Sequence, residues 1–129
     1  MDYLDDDWDL ELKELLQESK EQQQDRLEEE LKRIEQQLEE RNQVHREVVD
    51  ELESKLDWYK NRLEDLYKQR RGKAAERSQL KNQITLFYRQ LRNEKQQHWC
   101  DKQELEQERR DLLRSIDELS SENLLDELF

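Results

Sequence analysis

Apolar residues along this chain recur at alternating steps of three and four. Leu27, Leu31, Ile34 and Leu38 open one series, which continues through His45, Val48 and Leu52. A second series runs through Leu56, Tyr59, Leu63 and Leu66 and resumes at Leu80, Ile84, Phe87 and Leu91, with Leu105, Leu112 and Leu119 beyond it. Steps of three and four place side chains on one stripe of an α-helix. No stretch alternates with period two over the length of a strand. The pattern predicts an all-α chain: a long, nearly continuous helix forming a coiled coil, with a helical hairpin turning near Gly72 as the alternative.

The two series differ in phase. Heptad position a falls on Leu31, Leu38, His45 and Leu52 in the first, and on Leu56, Leu63, Arg70, Arg77, Ile84, Leu91, His98, Leu105, Leu112 and Leu119 in the second. The four-residue step from Leu52 to Leu56 is a stutter, which locally unwinds a left-handed supercoil without ending the helix. The seam turns polar twice, at Arg70, Lys73 and Arg77 around Gly72, and at Glu94, His98, Asp101 and Glu108. Polar core positions cost stability and select register or partner. Two such stretches predict a partner helix that is absent, offset or different there. Gly72 reads as a tolerated helix glycine costing about 1 kcal/mol, or as the C-cap of a first helix. The helix-forming run Lys73–Arg77 favours continuity. The chain then divides into an acidic tail (1–9), an acidic coiled-coil helix (10–71), a basic-to-acidic helix continuous with it (72–119) and a short acidic-apolar tail (120–129).

Composition removes the main competitors. Of 129 residues, 45% are charged and 32% hydrophobic, whereas a compact domain draws about half its residues from the apolar set. Disorder fits poorly, because there is no proline and a single glycine where disordered segments are rich in both. One cysteine, Cys100, allows no internal disulfide and suits a reducing compartment. The acidic start Met1–Asp7 lacks the basic and apolar regions of a signal peptide, and no apolar run approaches the ~20 residues of a membrane span. These features predict a soluble intracellular protein, cytoplasmic (with the centrosome or cytoskeleton in view) or nuclear, and no membrane partner.

Charge adds orientation. Residues 1–59 carry 21 acids and 8 bases, residues 60–97 carry 4 and 11, and residues 98–129 carry 10 and 4. An in-register parallel homodimer sets like blocks side by side, which disfavours pairing. An antiparallel or hetero-partner arrangement, with acidic 20–59 against basic 60–97, is expected instead.

Four local motifs bear on function. Residues 70–79, Arg-Arg-Gly-Lys-Ala-Ala-Glu-Arg-Ser-Gln, resemble the basic region of basic-leucine-zipper factors, and Leu91, Leu105, Leu112 and Leu119 lie at multiples of seven. The resemblance implies DNA binding. However, the family's base-reading Asn falls at Arg71, its following Arg at Gln79 and its first zipper leucine at Arg89. Losing the Asn removes the sequence code, and a net charge of −12 opposes phosphate attraction. The interrupted cluster Lys68–Arg77 also admits reading as a nuclear import signal. Asp7-Trp8-Asp9 is similar to the tryptophan-acidic cargo motif recognised by kinesin light chains, with Asp6 where that motif has an apolar residue. The plainer reading is a helix start, with Asp5–Asp7 at the positive end of the dipole and Trp8 on the seam. At the other end Leu124, Leu125, Leu128 and Phe129 form an amphipathic turn, either a docking helix or the last turn of the seam.

Aromatic side chains concentrate in the middle of the chain. Tyr59 and Phe87 fit position d, while Trp58, Tyr88 and Trp99 fall beside the seam. A third helix or a folded-back arm covering them is expected, against simple exposure of amphipathic rings. Nothing supports catalysis. His98 and Cys100 are two apart and cannot face one point on a helix, and His45 is distant in sequence. There is no zinc spacing, phosphate-cradling loop or nucleophile elbow. The sequence therefore points to a non-enzymatic scaffold or adaptor without cofactor, metal or small-molecule substrate. It resembles the small coiled-coil-domain proteins of centrosomes, cilia, microtubule motors and meiotic chromosome axes. Its expected partner-binding seam comprises Leu31, Ile34, Leu38, Val48, Leu52, Leu56, Tyr59, Leu63, Leu66, Leu80, Ile84, Phe87, Leu91, Leu105, Leu112 and Leu119, with Trp8, Leu124, Leu125, Leu128 and Phe129 as candidate docking residues. The partners are helical proteins, by self-association or hetero-coiled coil.

Overall fold

The computed structural model describes the backbone of residues 2–69 and 72–128 and the side chains of residues 8–69 and 72–122. It holds two helices, α1 (Asp2–Lys68) and α2 (Ala74–Leu128), and no strand among the described residues. The chain is all-α. The expectation of one continuous helix is corrected: α1 ends at Lys68, α2 starts at Ala74, and the hairpin alternative is the one the chain takes.

The residues group into two compact units, each drawing on both helices. Unit 2 is Leu38–Glu104. Within it, Arg41 meets Asp101, His45 meets His98, Tyr59 meets Phe87 and Tyr67 meets Arg77. Numbers fall along α2 as they rise along α1, so the two arms are antiparallel. Leu52, Leu56 and Leu66 are buried. Leu38, Val48, Val49, Tyr59, Leu63, Leu80, Ile84, Phe87 and Leu91 are half-buried around them. Unit 1 is Met1–Gln37 with Leu105–Phe129. Ile34 and Leu119 are buried there, and Leu27, Leu31, Leu105, Leu112 and Ile116 are half-buried. Leu27 and Leu119 line one groove, and Arg109 reaches Glu35 at 3.4 Å, so this pairing is antiparallel as well.

Propensity favoured continuity, and burial decided against it. An unbroken helix leaves Leu52, Leu56 and Leu66 in water unless a second molecule covers them. Burying each side chain is worth roughly 1.5–3 kcal/mol. A helix break gives up a few backbone hydrogen bonds, each worth about 1 kcal/mol net, and the chain's ends of helix recover part of that. Gln69 N–H donates to the Leu66 carbonyl at 3.3 Å, and Arg77 N–H donates to the Lys73 carbonyl at 2.9 Å. The break falls where the seam has least to lose, at the polar run containing Lys73 and Arg77; Arg70 lies outside the described residues. Arg77 and Lys81 both stack over the Tyr67 ring at 5.4 Å. Gly72 is not the helix C-cap. It stands four residues beyond Lys68, no described residue has a positive φ, and a Cβ at Gly72 would meet nothing within 4 Å.

Candidate functional site

Unit 2 contains a polar layer set into its apolar seam. Arg41 occupies position d of the first heptad series and projects toward α2. Its Nη1 donates to Glu94 Oε1 at 2.8 Å and its Nε to Asp101 Oδ2 at 2.9 Å. His45, one turn along α1, lies with Nδ1 3.1 Å from Glu94 Oε1. Its ring stacks on His98, with centroids 3.8 Å apart and planes 11° from parallel. His98 Nε2 lies 2.8 Å from Asn42 Oδ1, which makes that nitrogen the donor. Gln97 donates to the remaining Asp101 oxygen at 2.9 Å.

The electrostatics follow from that geometry. Hydrogen bonds to Glu94 and Asp101 hold the Arg41 guanidinium charged. Burial works against ionising Glu94, but the bonds from Arg41 and His45 outweigh it, and the carboxyl sits below its ordinary range. Asp101 is lowered by its bonds from Arg41 and Gln97. His98 is pushed down by burial, then by the neighbouring charges of His45, Arg41 and Lys102. Each half-buried charge of the layer, Arg41, Glu94 and Asp101, thus has a bonded counter-charge, the condition under which a polar layer specifies register.

Two sequence expectations change here. Glu94, His98 and Asp101 do not mark a missing partner helix, because Arg41, Asn42 and His45 of α1 meet them. His45 and His98, separated by half the chain, are in ring contact. The signal was present: extending the first heptad series puts Arg41 at d and His45 at a, so antiparallel pairing sets polar core positions against polar core positions.

The layer also turns the only two acids between Arg77 and Gln103 inward. The same stretch carries Arg77, Lys81, Arg89, Arg92, Lys95 and Lys102. Its outer face is therefore basic and, at intervals, aromatic. Tyr88, Leu91, Arg92, Lys95, Gln96, Trp99 and Cys100 line a shallow groove of about 790 Å³. Trp99 is 63% exposed and Tyr88 46%. Lys60 of α1 sits 4.9 Å above the Tyr88 ring. Trp58 stacks edge-on against Tyr59 at 4.9 Å yet remains 61% exposed. Among the described residues no helix or folded-back arm covers Trp58, Tyr88 or Trp99, and the Lys60 side chain over Tyr88 leaves that ring half exposed.

The sixteen seam residues are all buried or half-buried, facing the antiparallel arm of their own unit. Leu27, Val49 and Ile116 join them. Trp8 does not pack on the seam. It is 66% exposed, and every described residue from Trp8 to Ser19 is exposed with it. The side chains of Leu124, Leu125, Leu128 and Phe129 lie outside the described residues. Cys100 is an exposed free thiol, and the neighbouring His98 is committed to His45 and Asn42. Among the described residues no cluster of His, Cys, Asp and Glu suits a metal ion, and no helix is long and apolar enough to cross a membrane.

A family model described as a family of unknown function (DUF8104) matches the chain over residues 1–129. No curated protein and no solved structure matches it.

Proposed function

We propose that this chain, which belongs to the DUF8104 family, is a non-enzymatic helical scaffold or adaptor that assembles other proteins through the outer faces of its helices. The observation that carries this reading is the distribution of apolar surface. The Leu/Ile seam is consumed inside the chain, yet three tryptophans and several leucines remain in water: Trp8, Trp58 and Trp99, with Leu10, Leu12, Leu15 and Leu16. Large exposed aromatics are frequent anchors of protein interfaces, and clustered apolar exposure marks interaction sites. The seam thus builds the scaffold, and the aromatic faces take the partners. A cytoskeletal, centrosomal, ciliary or meiotic-chromosome setting remains the cellular context that the coiled-coil resemblance suggests.

The test is to express the wild-type chain in cells beside a Trp8→Ala/Trp58→Ala/Trp99→Ala variant, after checking equal helicity of the purified proteins. The wild type is expected in assemblies with helical proteins that the variant loses. Equal recovery of both as free chains would overturn the reading. A second reading, a motor-cargo adaptor, rests on the exposure of Trp8 among Asp7, Asp9 and Glu11, and Trp8→Ala alone tests it. The DNA-binding alternative loses ground, because Gly72 and Lys73 of the basic run lie outside both helices and only Ala74–Gln79 belong to α2, so the run is not one helix leading into a zipper.

A further inference from the structure

We propose that the basic-aromatic stripe of α2 is a self-docking surface, occupied by residues 8–16 of a second copy of this chain. The inference deepens the scaffold reading above and rests on it.

The stripe has the regular spacing of a helix-docking face. Tyr88, Arg92, Lys95 and Trp99 stand at i, i+4, i+7 and i+11, which aligns them along one side of α2. Arg92 and Lys95 form no salt bridge among the described residues, and no acid lines the groove they share with Tyr88 and Trp99. A cationic, aromatic groove wants an acidic helix carrying large apolar side chains.

The chain itself supplies such a helix. Trp8, Leu12 and Leu15 lie at i, i+4 and i+7 on α1, all exposed, with Leu16 beside them and the acids Asp9, Glu11 and Glu14 interleaved against a single base, Lys13. The spacing matches that of the stripe, so apolar side chains from one helix fall between those of the other. Charge favours the pairing too. Residues 1–37 and 105–129 carry 22 acids and 8 bases, whereas residues 38–104 carry 13 acids and 15 bases. Acidic segment against acidic segment repels, and basic stripe against basic stripe repels. Only the crossed pairing attracts: reciprocal exchange between two copies closes a two-fold pair, and one-way docking adds further copies head to tail.

The experiment is sedimentation equilibrium of the full chain over a range of concentrations, with helicity followed by circular dichroism. The wild type is expected to associate, and its dissociation constant to rise about tenfold or more between about 50 mM and about 500 mM NaCl, as exposed charge pairs are screened. Arg92→Glu/Lys95→Glu is expected to be monomeric with unchanged helicity, as is Asp9→Lys/Glu11→Lys/Glu14→Lys. Mixing the two variants is expected to restore association, because the reversed charges now complement each other. That rescue also answers any loss of folding in either variant alone. A wild type that stays monomeric throughout overturns the proposal, as does association that neither salt nor either variant alters. A monomer that still captures other helical proteins through its tryptophans overturns self-docking alone and leaves the scaffold reading intact.

Discussion

Replacing Arg41 with Met probes the polar layer most sharply. The side chain keeps its length and apolar stem and loses its charge and both hydrogen bonds. Arg41 is 19% exposed and its closest acceptor, Glu94, 18%. Hydrogen bonds to charged groups are worth about 1.5–3 kcal/mol each, and a partner left unpaired adds its own desolvation cost. Glu94 keeps one bond, from His45, which limits the loss. Partial exposure and solvent screening reduce it further. The expected destabilisation is about 2 kcal/mol. In a unit the size of residues 38–104 that lowers the thermal midpoint by roughly 10 °C. The assay is thermal melting of Arg41→Met against Arg109→Met. Arg109 makes an otherwise similar single bridge to Glu35 at 3.4 Å, but with side chains 45% and 49% exposed, and exposed pairs contribute about 0–1 kcal/mol. Arg41 makes two bridges and Arg109 one, so a loss from Arg109→Met of half or more of that from Arg41→Met would refute the claim that burial, rather than the count of ion pairs, gives the layer its weight.

Three further outcomes follow from the same geometry. Replacing the layer's side chains that meet across the helices, with Arg41→Leu, Asn42→Leu, His45→Leu, Glu94→Leu, His98→Leu and Asp101→Leu together, is expected to recover the stability that Arg41→Met loses, since apolar substitutes for ion pairs withdrawn from water are often neutral or better; the register of the arms is expected to become heterogeneous, read by spin-label distances between the helices. Acid is expected to weaken unit 2 in two stages. His98 is harder to protonate folded than unfolded, so its contribution is complete above the ordinary histidine value of about 6.5 and is lost as pH falls below it; Glu94 and Asp101, also lowered, lose theirs as pH falls through and below the ordinary carboxylate range. Urea melts at stepped pH check this, and His98→Gln removes the first stage only. Gly72→Ala is expected to stabilise by about 0.4–1 kcal/mol, because the site has room for a Cβ and the unfolded chain loses freedom; a loss of stability in the same melts would mean that the connection needs glycine.

The helices and the stripe they bury were legible in the spacing of Leu31, Ile34, Leu52, Leu56, Leu66 and their partners, because periodicity is a local property of the sequence. The break was not. The propensity of Lys73–Arg77 shows only where α2 begins, at Ala74; what ends α1 at Lys68 is the burial of a seam that joins residues as far apart in sequence as Leu27 and Leu119. The polar layer was half legible. Glu94, His98 and Asp101 stood out as polar core positions, but their partners Arg41 and Asn42 acquire meaning only once the chain folds back. Trp8 was expected on the seam or in a partner. It does not pack on the seam, because the first heptad series carried back from Leu31 puts Trp8 at position f, on the outer side of α1, where residues 8–19 are all exposed. The groove at Tyr88–Trp99 was visible as aromatics beside the seam. Its basic character came from Glu94 and Asp101 turning inward, which composition could not convey.

The central claim is that the chain fills its own seam and leaves its outer faces for partners. Tyr59 and Phe87 test it directly, with ring centroids 5.2 Å apart across unit 2. A Tyr59→Cys/Phe87→Cys variant in a Cys100→Ser background would be oxidised at low concentration as a mixture of isotopically light and heavy chains. The account predicts a disulfide within single chains, light with light and heavy with heavy. A disulfide found chiefly between chains, with mixed light–heavy products, would mean that the seams pair between molecules and would contradict it.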